Sequence, residues 1–213
     1  MKKISLIFLL AFAAPLFAQD IGEMAPPKPP ADYPDNSWGV DLMFSEGGFG
    51  IGTFFRKQFT DDIRGFVDFS LSESKDEKEV EFYDYFGNKT TPGKKNRVFM
   101  MPLNFGVQYR LFKNQLTDNL RPYLTAGAGP SIVVTTPYEK EFFSSFGKAK
   151  TRLAAGGYIG LGANFGISKS NLVGLNVRYY YVRFFDNGVE NLANKFRKTI
   201  GGIYLSINVG IMY

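Results

Sequence analysis

The chain has 213 residues, carries 25 lysines and arginines against 20 aspartates and glutamates, and contains neither histidine nor cysteine. A formal charge of +5 spread along the chain is too small to indicate nucleic-acid binding. The absence of cysteine excludes disulfide bonds and a lipid-modified N-terminal cysteine. Without histidine or cysteine we expect neither a metal site nor a cofactor.

The N-terminal segment, residues 1–18, predicts a secretory signal peptide. Lys2 and Lys3 precede an apolar run, and Ala18 supplies a small residue for cleavage. The run is too short for a membrane-spanning helix, which needs about 20 apolar residues. Residues 19–35 hold five prolines and no periodic pattern, which predicts a proline-rich periplasmic leader. A ligand for a groove-binding module is the alternative interpretation of this segment.

From residue 36 to residue 213 apolar side chains alternate with small or polar ones. Strict alternation over segments of this kind is typical of β-strands with two unlike faces. Eight segments are predicted as strands: 37–45, 49–57, 65–72, 102–111, 121–132, 157–167, 173–181 and 203–213. Apart from the tight link between the first two strands, short connections alternate with long ones. That alternation indicates an up-and-down barrel with short periplasmic turns and longer outer loops.

The charged residues indicate which face of these strands meets lipid. Every glutamate lies in the leader, in a connection or at a strand end, and so do nearly all the lysines. A strand face in water normally carries such residues. The polar face instead holds glycine, serine, asparagine, threonine, tyrosine and a few arginines and aspartates, which suits the narrow interior of a small barrel. We therefore predict an all-β fold, an eight-stranded antiparallel up-and-down transmembrane β-barrel over residues 36–213, with its apolar face toward lipid.

Barrel closure and interfacial aromatic residues follow from that orientation. Hydrocarbon offers no partner to backbone N–H and C=O groups, so the last strand must pair with the first. Aromatic residues at strand ends are expected to form two interfacial girdles. The lower girdle would hold Phe59, Tyr109, Phe112 and Tyr213, and the upper one Phe44, Phe49, Tyr181 and Phe184.

Four segments, PLNFGVQYRL, RPYLTAGAGP, LNVRYYYV and YLSINVGIMY, carry a resemblance to a known family. In them the chain resembles the OmpA/OmpX-like small outer-membrane β-barrels. The resemblance implies a monomer in the outer membrane of a Gram-negative bacterium, in contact with outer-membrane lipid and lipopolysaccharide. It also implies that the barrel-insertion machinery recognises the last strand as a C-terminal signal. The residues of that signal are Ile207, Val209, Ile211 and Tyr213.

Charged residues on the inward face form the first set of candidate site residues. They are Asp41, Arg56, Asp68, Arg110, Arg121 and Arg178. Because isolated charge inside a narrow barrel is costly, we expect these residues to form an ion-pair network that fills the lumen. Four arginines against two aspartates leave surplus positive charge, so a narrow, weakly anion-leaning porin is an alternative.

The outer loops hold the second set of candidates. Aromatic candidates for contact with an extracellular partner are Tyr83, Tyr85, Phe86, Tyr138, Phe142, Phe143 and Phe146. The competing expectation is that these rings pack across the mouth of the barrel. Lysines that would bind lipopolysaccharide phosphates are Lys94, Lys95, Lys148 and Lys150, although solvation alone explains them equally well.

Catalysis is not expected. Enzymes built on small outer-membrane barrels use histidine for proton transfer near neutral pH, and this chain has none. The adjacent Asp61 and Asp62 would point to opposite faces of a strand, and their pattern indicates a turn. We therefore predict a non-enzymatic outer-membrane protein with a structural or surface-interaction role. The alternatives are the narrow porin and a soluble periplasmic lipid-binding barrel.

Overall fold

A computed structural model describes residues 34–76, 79–83, 85–87, 89–113, 115–116, 119–165 and 170–213. The predicted signal peptide and most of the proline-rich leader lie outside the described residues, as does the end of the sixth predicted strand. The eight long strands are β1 (Asn36–Ser45), β2 (Gly48–Gln58), β3 (Ile63–Ser74), β6 (Asn96–Arg110), β7 (Leu120–Pro137), β8 (Lys150–Phe165), β9 (Asn171–Phe184) and β12 (Thr199–Met212).

The connections contain short elements of their own. Two hairpins are formed by β4 (Phe82–Tyr83) with β5 (Lys89–Thr90) and by β10 (Val189–Leu192) with β11 (Lys195–Arg197). A single helical turn, α1 (Phe142–Ser145), continues into a 3-10 turn (Phe146–Lys148). Within the described part of the chain, no helix is long and apolar enough to cross a membrane.

The eight long strands pair antiparallel and close on themselves in the order β1-β12-β9-β8-β7-β6-β3-β2. The seam pairs β1 with β12, from Ser37 opposite Met212 to Ser45 opposite Tyr204. Asn36 and Tyr213 extend the seam with two backbone hydrogen bonds of 3.0 and 3.1 Å. The predicted eight-stranded up-and-down barrel is therefore confirmed, including the pairing of its last strand with its first.

The connections differ between the two ends of the barrel. We call the end with Asn36 and Tyr213 the lower end, where the strands are joined by residues 59–62, 111–119 and 166–170. At the upper end, three long connections span 75–95, 138–149 and 185–198. The fourth upper link is the tight turn between β1 and β2, which Gly48 permits by adopting a φ of +124°.

The two faces of the wall differ as the alternation predicts. Large apolar side chains face outward and are 36% to 66% exposed, among them Trp38, Phe44, Ile51, Phe69, Leu103, Ile159, Leu175 and Ile203. The residues between them point inward and are almost fully buried, among them Asp41, Asp68, Asn104, Arg178, Ser206 and Asn208. A soluble lipid-binding barrel would have the opposite arrangement. That alternative is therefore wrong.

The strands extend further at the upper end than predicted. β6 begins at Asn96, β7 continues to Pro137 and β8 begins at Lys150, each several residues beyond the predicted limit. These extensions carry polar side chains on the outward face, as with Arg97 and Thr151. Apolar and polar residues no longer alternate there, so the pattern that predicts a strand is lost.

One residue of the predicted upper girdle points the other way. Phe184 is 3% exposed and belongs to the buried cluster inside the barrel, while Arg183 takes the outward position. The other upper girdle residues, Phe44, Phe49 and Tyr181, are 45% to 56% exposed. The expectation for Phe184 is wrong because its place in the two-residue period puts it on the inward face of β9.

The seam offers a direct test of barrel closure. A Cβ atom on Gly39 would lie 2.2 Å from the carbonyl oxygen of Val209 and 2.6 Å from Cα of Gly210, both backbone atoms of the paired strand. We expect Gly39→Ala to destabilise the barrel by about 1–3 kcal/mol, the usual cost of overpacking. The measurement is the urea midpoint in detergent, read from the gel mobility of unheated samples.

The matched control is Gly147→Ala, because a Cβ atom at Gly147 meets nothing within 4 Å. This variant should keep the wild-type midpoint. Equal midpoints for all three proteins would contradict the close approach of β1 and β12.

Candidate functional site in the barrel lumen

Three charged side chains from different strands meet in the middle of the lumen. An N–H at Nη2 of Arg178 donates to Oδ2 of Asp41 across 2.7 Å, and Nη1 lies 3.9 Å from Oδ2 of Asp68. None of the three side chains is more than 4% exposed. Three of the six predicted inward charges therefore form one buried cluster, in which a single guanidinium serves two carboxylates. We call this the central cluster.

Neutral side chains complete the hydrogen bonding of the two carboxylates. The hydroxyl of Tyr158 donates to Oδ2 of Asp68 at 2.6 Å, and the amide of Asn104 donates to Oδ1 at 2.8 Å. The amide of Asn208 donates to Oδ1 of Asp41. One cation between two carboxylates leaves a net negative charge if both are ionised, and these donors stabilise it where water is excluded.

A row of tyrosines fills the space beside the central cluster. The ring centroids of Tyr158 and Tyr180 are 4.8 Å apart, and those of Tyr180 and Tyr204 are 5.1 Å apart. The guanidinium carbon of Arg178 lies 5.0 Å from the centroid of Tyr158, a cation–π distance. The three rings come from neighbouring strands, and their inward places in the alternation were visible in the sequence. Their contact was not predicted, because it depends on the strand register.

Two further predicted charges, Arg56 and Arg121, lie nearer the lower end and have other contacts. The guanidinium of Arg56 stacks 4.0 Å from the ring centroid of Phe54 and donates a long 3.5 Å hydrogen bond to Oδ1 of Asn164. Arg121 places two nitrogens 3.6 and 3.7 Å from the sulfur of Met212. The aromatic face and the thioether are weak partners for a cation. Met212, the one large apolar residue on the inward face of the final segment, thus has an explanation.

Arg110, the last predicted inward charge, lines a small cavity at the lower mouth together with Arg64. Arg64 was not predicted, because the segment that contains it was assigned to a turn. Arg64, Phe66 and Asp68 follow one another at intervals of two residues, and this alternation is the signal that would have identified Arg64 as an inward residue. Among the described residues, neither Arg110 nor Arg56 lies within 4.0 Å of a carboxylate. The predicted charges therefore separate into a central cluster and a positively charged lower layer.

The upper third of the lumen holds an apolar cluster beside buried serine and threonine side chains such as Ser72, Ser74 and Thr135. Met43, Val98, Met100, Val133 and Val182 are fully buried there. All five stand at inward places of the alternation, where a polar lumen was predicted. An apolar residue on the inward face weakens the alternation of apolar and polar residues but does not shift which residues face outward. The strands could therefore still be predicted from the sequence.

The upper mouth is closed by the connection between β9 and β12. Val189 and Leu192 are 1% and 6% exposed, and Val189 belongs to the apolar cluster inside the barrel. This connection is joined to the β3–β6 connection by backbone hydrogen bonds from Lys95 N–H to Asn191 O at 2.7 Å and from Ala193 N–H to Gly93 O at 2.9 Å. The mouth is thus covered by aliphatic side chains held between two loops.

Three of the outer-loop aromatic candidates do not pack across the mouth. Tyr83, Tyr85 and Phe86 are 66%, 98% and 85% exposed at the β4–β5 hairpin. The expectation that aromatic rings cover the mouth is wrong for these three, because Val189 and Leu192 occupy that place. The β4–β5 hairpin instead carries its rings in solvent.

The remaining aromatic candidates lie together around the β7–β8 connection. Tyr138 packs against the guanidinium of Arg97, with 4.9 Å between the ring centroid and Cζ. Phe142 and Phe146 have centroids 5.3 Å apart, and Phe143 stands 5.3 Å from Phe142. The three phenylalanine rings thus pack with one another on α1 and the 3-10 turn, whereas Tyr138 packs on Arg97.

The four lysines expected to bind phosphate fall into two groups. Lys94 is 5% exposed at its side chain and pairs with Glu79 at 2.9 Å, and Lys95 pairs with Glu190 at 2.7 Å. The pKa of Glu190 is lowered by the hydrogen bond from Lys95 and by a backbone N–H. Lys94 is thus engaged inside the loops and does not face lipid, contrary to expectation. Lys148 and Lys150 are exposed.

Asp61 and Asp62 form a turn between β2 and β3, as predicted. The N–H groups of Phe59 and Thr60 both donate to the carbonyl of Ile63. Lys113 donates to Oδ2 of Asp61 at 2.7 Å, which lowers the pKa of that carboxyl. The described residues contain no group of three or more side chains suited to hold a metal ion.

The C-terminal residues expected to form an insertion signal lie on the outward face of β12. Val209, Ile211 and Tyr213 are 45%, 44% and 57% exposed, and Ile207 is half-buried. They form one apolar row ending at the lower end of the seam. The row is continuous with the outward face of β1, to which β12 is paired.

A closed eight-stranded barrel with an apolar outer wall and a filled, mostly polar lumen defines an integral membrane β-barrel of the outer-membrane type. The sequence matches the family described as outer membrane protein beta-barrel domain over residues 4–208. The chain belongs to this family. The family assignment expected from the sequence is confirmed, and the protein is an outer-membrane β-barrel protein.

Three solved structures are reported as similar in fold. Neisserial surface protein A shares 14% identity at a TM-score of 0.48, covering 84% of this chain and 94% of its own. The outer membrane protein OprG of Pseudomonas aeruginosa shares 13% sequence identity at a TM-score of 0.47, and the match covers 85% of this chain and 97% of OprG. Ail, the attachment invasion locus protein of Yersinia pestis, shares 14% sequence identity at a TM-score of 0.40, and the match covers 82% of this chain and 95% of Ail. Among curated proteins the sequence comparison finds no match.

The central cluster predicts a large stability loss when its cation is removed. Arg178→Met leaves Asp41 and Asp68 buried without a counter-charge, which should cost about 3–5 kcal/mol. The free energy of unfolding in urea and detergent is the measurement. Replacing Asp41 and Asp68 by Asn in the same variant should restore most of the loss, because no uncompensated charge then remains.

The matched control is Arg152→Met, which breaks the ion pair with Asp186 on an exposed upper loop. Exposed pairs contribute little, so this variant should unfold like the wild type. Wild-type stability of Arg178→Met would show that the central cluster does not hold the barrel together.

Proposed function

We propose that this protein is a monomeric, non-catalytic barrel of a Gram-negative outer membrane, closed to ions, whose upper loops interact with surfaces outside the cell. The observation that carries the proposal is the packing of buried side chains through the middle of the lumen. An apolar cluster with buried serines and threonines beside it lies toward the upper end, the central cluster and the tyrosine row fill the middle, and arginines lie toward the lower end.

The filled lumen argues against an ion path. A permeating ion would need an open polar path, but side chains in the upper third are packed together, with Met100 and Val133 fully buried. The tyrosine row belongs to the same buried cluster, and its neighbouring ring centroids are about 5 Å apart, at packing distance. A structural barrel uses such a core for rigidity, and its function then lies in the parts outside the membrane.

Planar bilayer recording tests the closed lumen. We expect the purified protein to give no conductance steps under conditions in which a general porin does, because the packed upper part of the lumen excludes hydrated ions. The porin alternative has one observation in its favour, the arginine-rich lower mouth. Steps with anion preference would contradict the closed barrel and support that alternative, whereas cation-selective steps would contradict both.

The β4–β5 hairpin supports the surface-interaction part of the proposal. Tyr85 and Phe86 at its tip are 98% and 85% exposed, and their ring centroids are 5.7 Å apart. Large exposed aromatic side chains are frequent anchors of protein interfaces. The tip lies at the upper end, opposite the termini, and we assign that end to the outside of the cell because the leader is periplasmic in the proposed topology.

Adhesion of whole bacteria tests the role of this tip. Cells that express the protein should bind an apolar surface better than cells that lack it, and Tyr85→Ser with Phe86→Ser should remove the difference. The matched control is Phe143→Ser, which replaces an equally exposed phenylalanine, at 87%, on the β7–β8 connection and should leave adhesion unchanged. Undiminished adhesion of the double variant would contradict a role for the hairpin tip.

Two further partners belong to the proposal. The outward row of Val209, Ile211 and Tyr213 supports recognition of the last strand by barrel-insertion machinery, since an unassembled strand presents this row to a partner. Lys148 and Lys150 are exposed at the upper end. Their position supports contact with phosphate groups of lipopolysaccharide.

A further inference from the structure

We propose that the helical turn over residues 142–148 is a membrane anchor, with its phenylalanine rings inserted among the acyl chains of the lipid leaflet at the upper end. We call this segment the aromatic turn. The proposal takes Phe142, Phe143 and Phe146 away from the extracellular contact surface and assigns them to lipid.

The first argument is the side of the wall on which the aromatic turn lies. Phe99 of β6 belongs to the same outward row as Leu103 and Phe105, since its neighbours Val98 and Met100 are fully buried in the lumen. The ring centroid of Phe99 is 5.9 Å from that of Phe146 and 6.1 Å from that of Phe142. The aromatic turn therefore packs on the outer surface of the barrel.

The second argument is that the aromatic turn is held in place. Nη1 of Arg97, the next outward residue on β6, donates to the carbonyls of Pro137 and Lys140 at 3.2 and 3.1 Å. Ser145 is fully buried, and its hydroxyl donates to the carbonyl of Phe142 at 2.6 Å. These contacts bend the β7–β8 connection down over the wall, so its rings keep a fixed position.

The third argument is continuity with the apolar band. On the outward face of β6, Phe99 and Met101 directly precede Leu103 toward the upper end. The aromatic turn therefore contacts the upper edge of the apolar outer wall. Phe142 and Phe146 are still 46% and 45% exposed, and Phe143 is 87% exposed. Aromatic rings at this level of a barrel normally sit at the membrane–water interface.

The fourth argument is the charge beside the rings. Lys148 and Lys150 follow the aromatic turn and are exposed, and within the described ranges neither has a carboxylate partner within 4.0 Å. On the other side of the turn, Lys140 stands between the exposed Glu139 and Glu141, so the positive charge lies on the C-terminal side. A row of phenylalanines followed by two exposed lysines suits an interface where acyl chains meet phosphate groups. A lipid leaflet supplies both, whereas an extracellular protein would need to approach the barrel wall at the membrane surface.

Single-tryptophan fluorescence provides the test, because the chain has one tryptophan, Trp38. Trp38→Phe with Phe143→Trp is reconstituted into phosphatidylcholine vesicles with brominated or unbrominated acyl chains. We expect blue-shifted emission, strong quenching by bromine placed near the interface, and little quenching by acrylamide. The wild type, with Trp38 in the outward row of β1, is the positive control for lipid contact.

The matched control is Trp38→Phe with Tyr85→Trp at the hairpin tip. Its emission should be quenched by acrylamide and not by brominated lipid. Adding Lys148→Gln and Lys150→Gln to the Phe143→Trp variant should weaken the shallow bromine quenching in vesicles that contain anionic lipid, because the phosphate contact is lost.

Two results would overturn the proposal. Acrylamide quenching of the Phe143→Trp variant equal to that of the Tyr85→Trp variant would place the aromatic turn in water. Protection from both acrylamide and bromine would show that another protein surface, such as a second copy of this chain, covers it. Neither result would affect the closed lumen, which the conductance measurement tests separately.

Discussion

The backbone pairing of β1 with β12 is the interaction on which the rest of the structure depends. In hydrocarbon no water is present to satisfy a free strand edge, so a sheet can cross the membrane only if its last strand pairs with its first. The seam from Ser37 to Ser45 meets this requirement without interruption. Its two facing glycines, Gly39 and Gly210, let the backbones approach closely while the ring of Phe54 fills the space inside.

Closure at eight strands then decides what the interior can contain. A barrel of this size has room for its own side chains and little more. The charged groups inside must therefore be satisfied by neighbours, as Asp41 and Asp68 are by Arg178 and by donors such as Tyr158. The same constraint moves the interacting surfaces to the outside, namely the β4–β5 hairpin in solvent and the aromatic turn at the wall.

Most of the fold was predictable because alternation is a local property of the chain. The inward places of Asp41, Asp68 and Arg178 follow from the two-residue period of their own strands. Their contact did not follow, since it depends on the register between β1, β3 and β9 and on the tilt of the strands. Arg64 was missed at a strand end, where the alternation had begun but the flanking turn residues masked it.

The loops were the least predictable part for a related reason. The phenylalanines of the aromatic turn have no partner in their own segment other than one another, and Phe99 is 43 residues before Phe142 in the numbering of the chain. Val189 and Leu192 gave no signal in the sequence that would place them in the mouth. Their burial arises from the joining of two upper connections, which no local pattern records.

Site-directed spin labelling of β6 tests the orientation of the wall most directly, and the absence of cysteine makes single-cysteine variants simple to prepare. Labels at Leu103, Phe105 and Val107 should collide readily with dissolved oxygen and poorly with a polar nickel chelate, as residues in lipid do. A label at Tyr85 should show the reverse and serves as the water-exposed reference. Free access of the chelate to the three positions on β6 would contradict an apolar face in lipid and, with it, the whole account of this barrel.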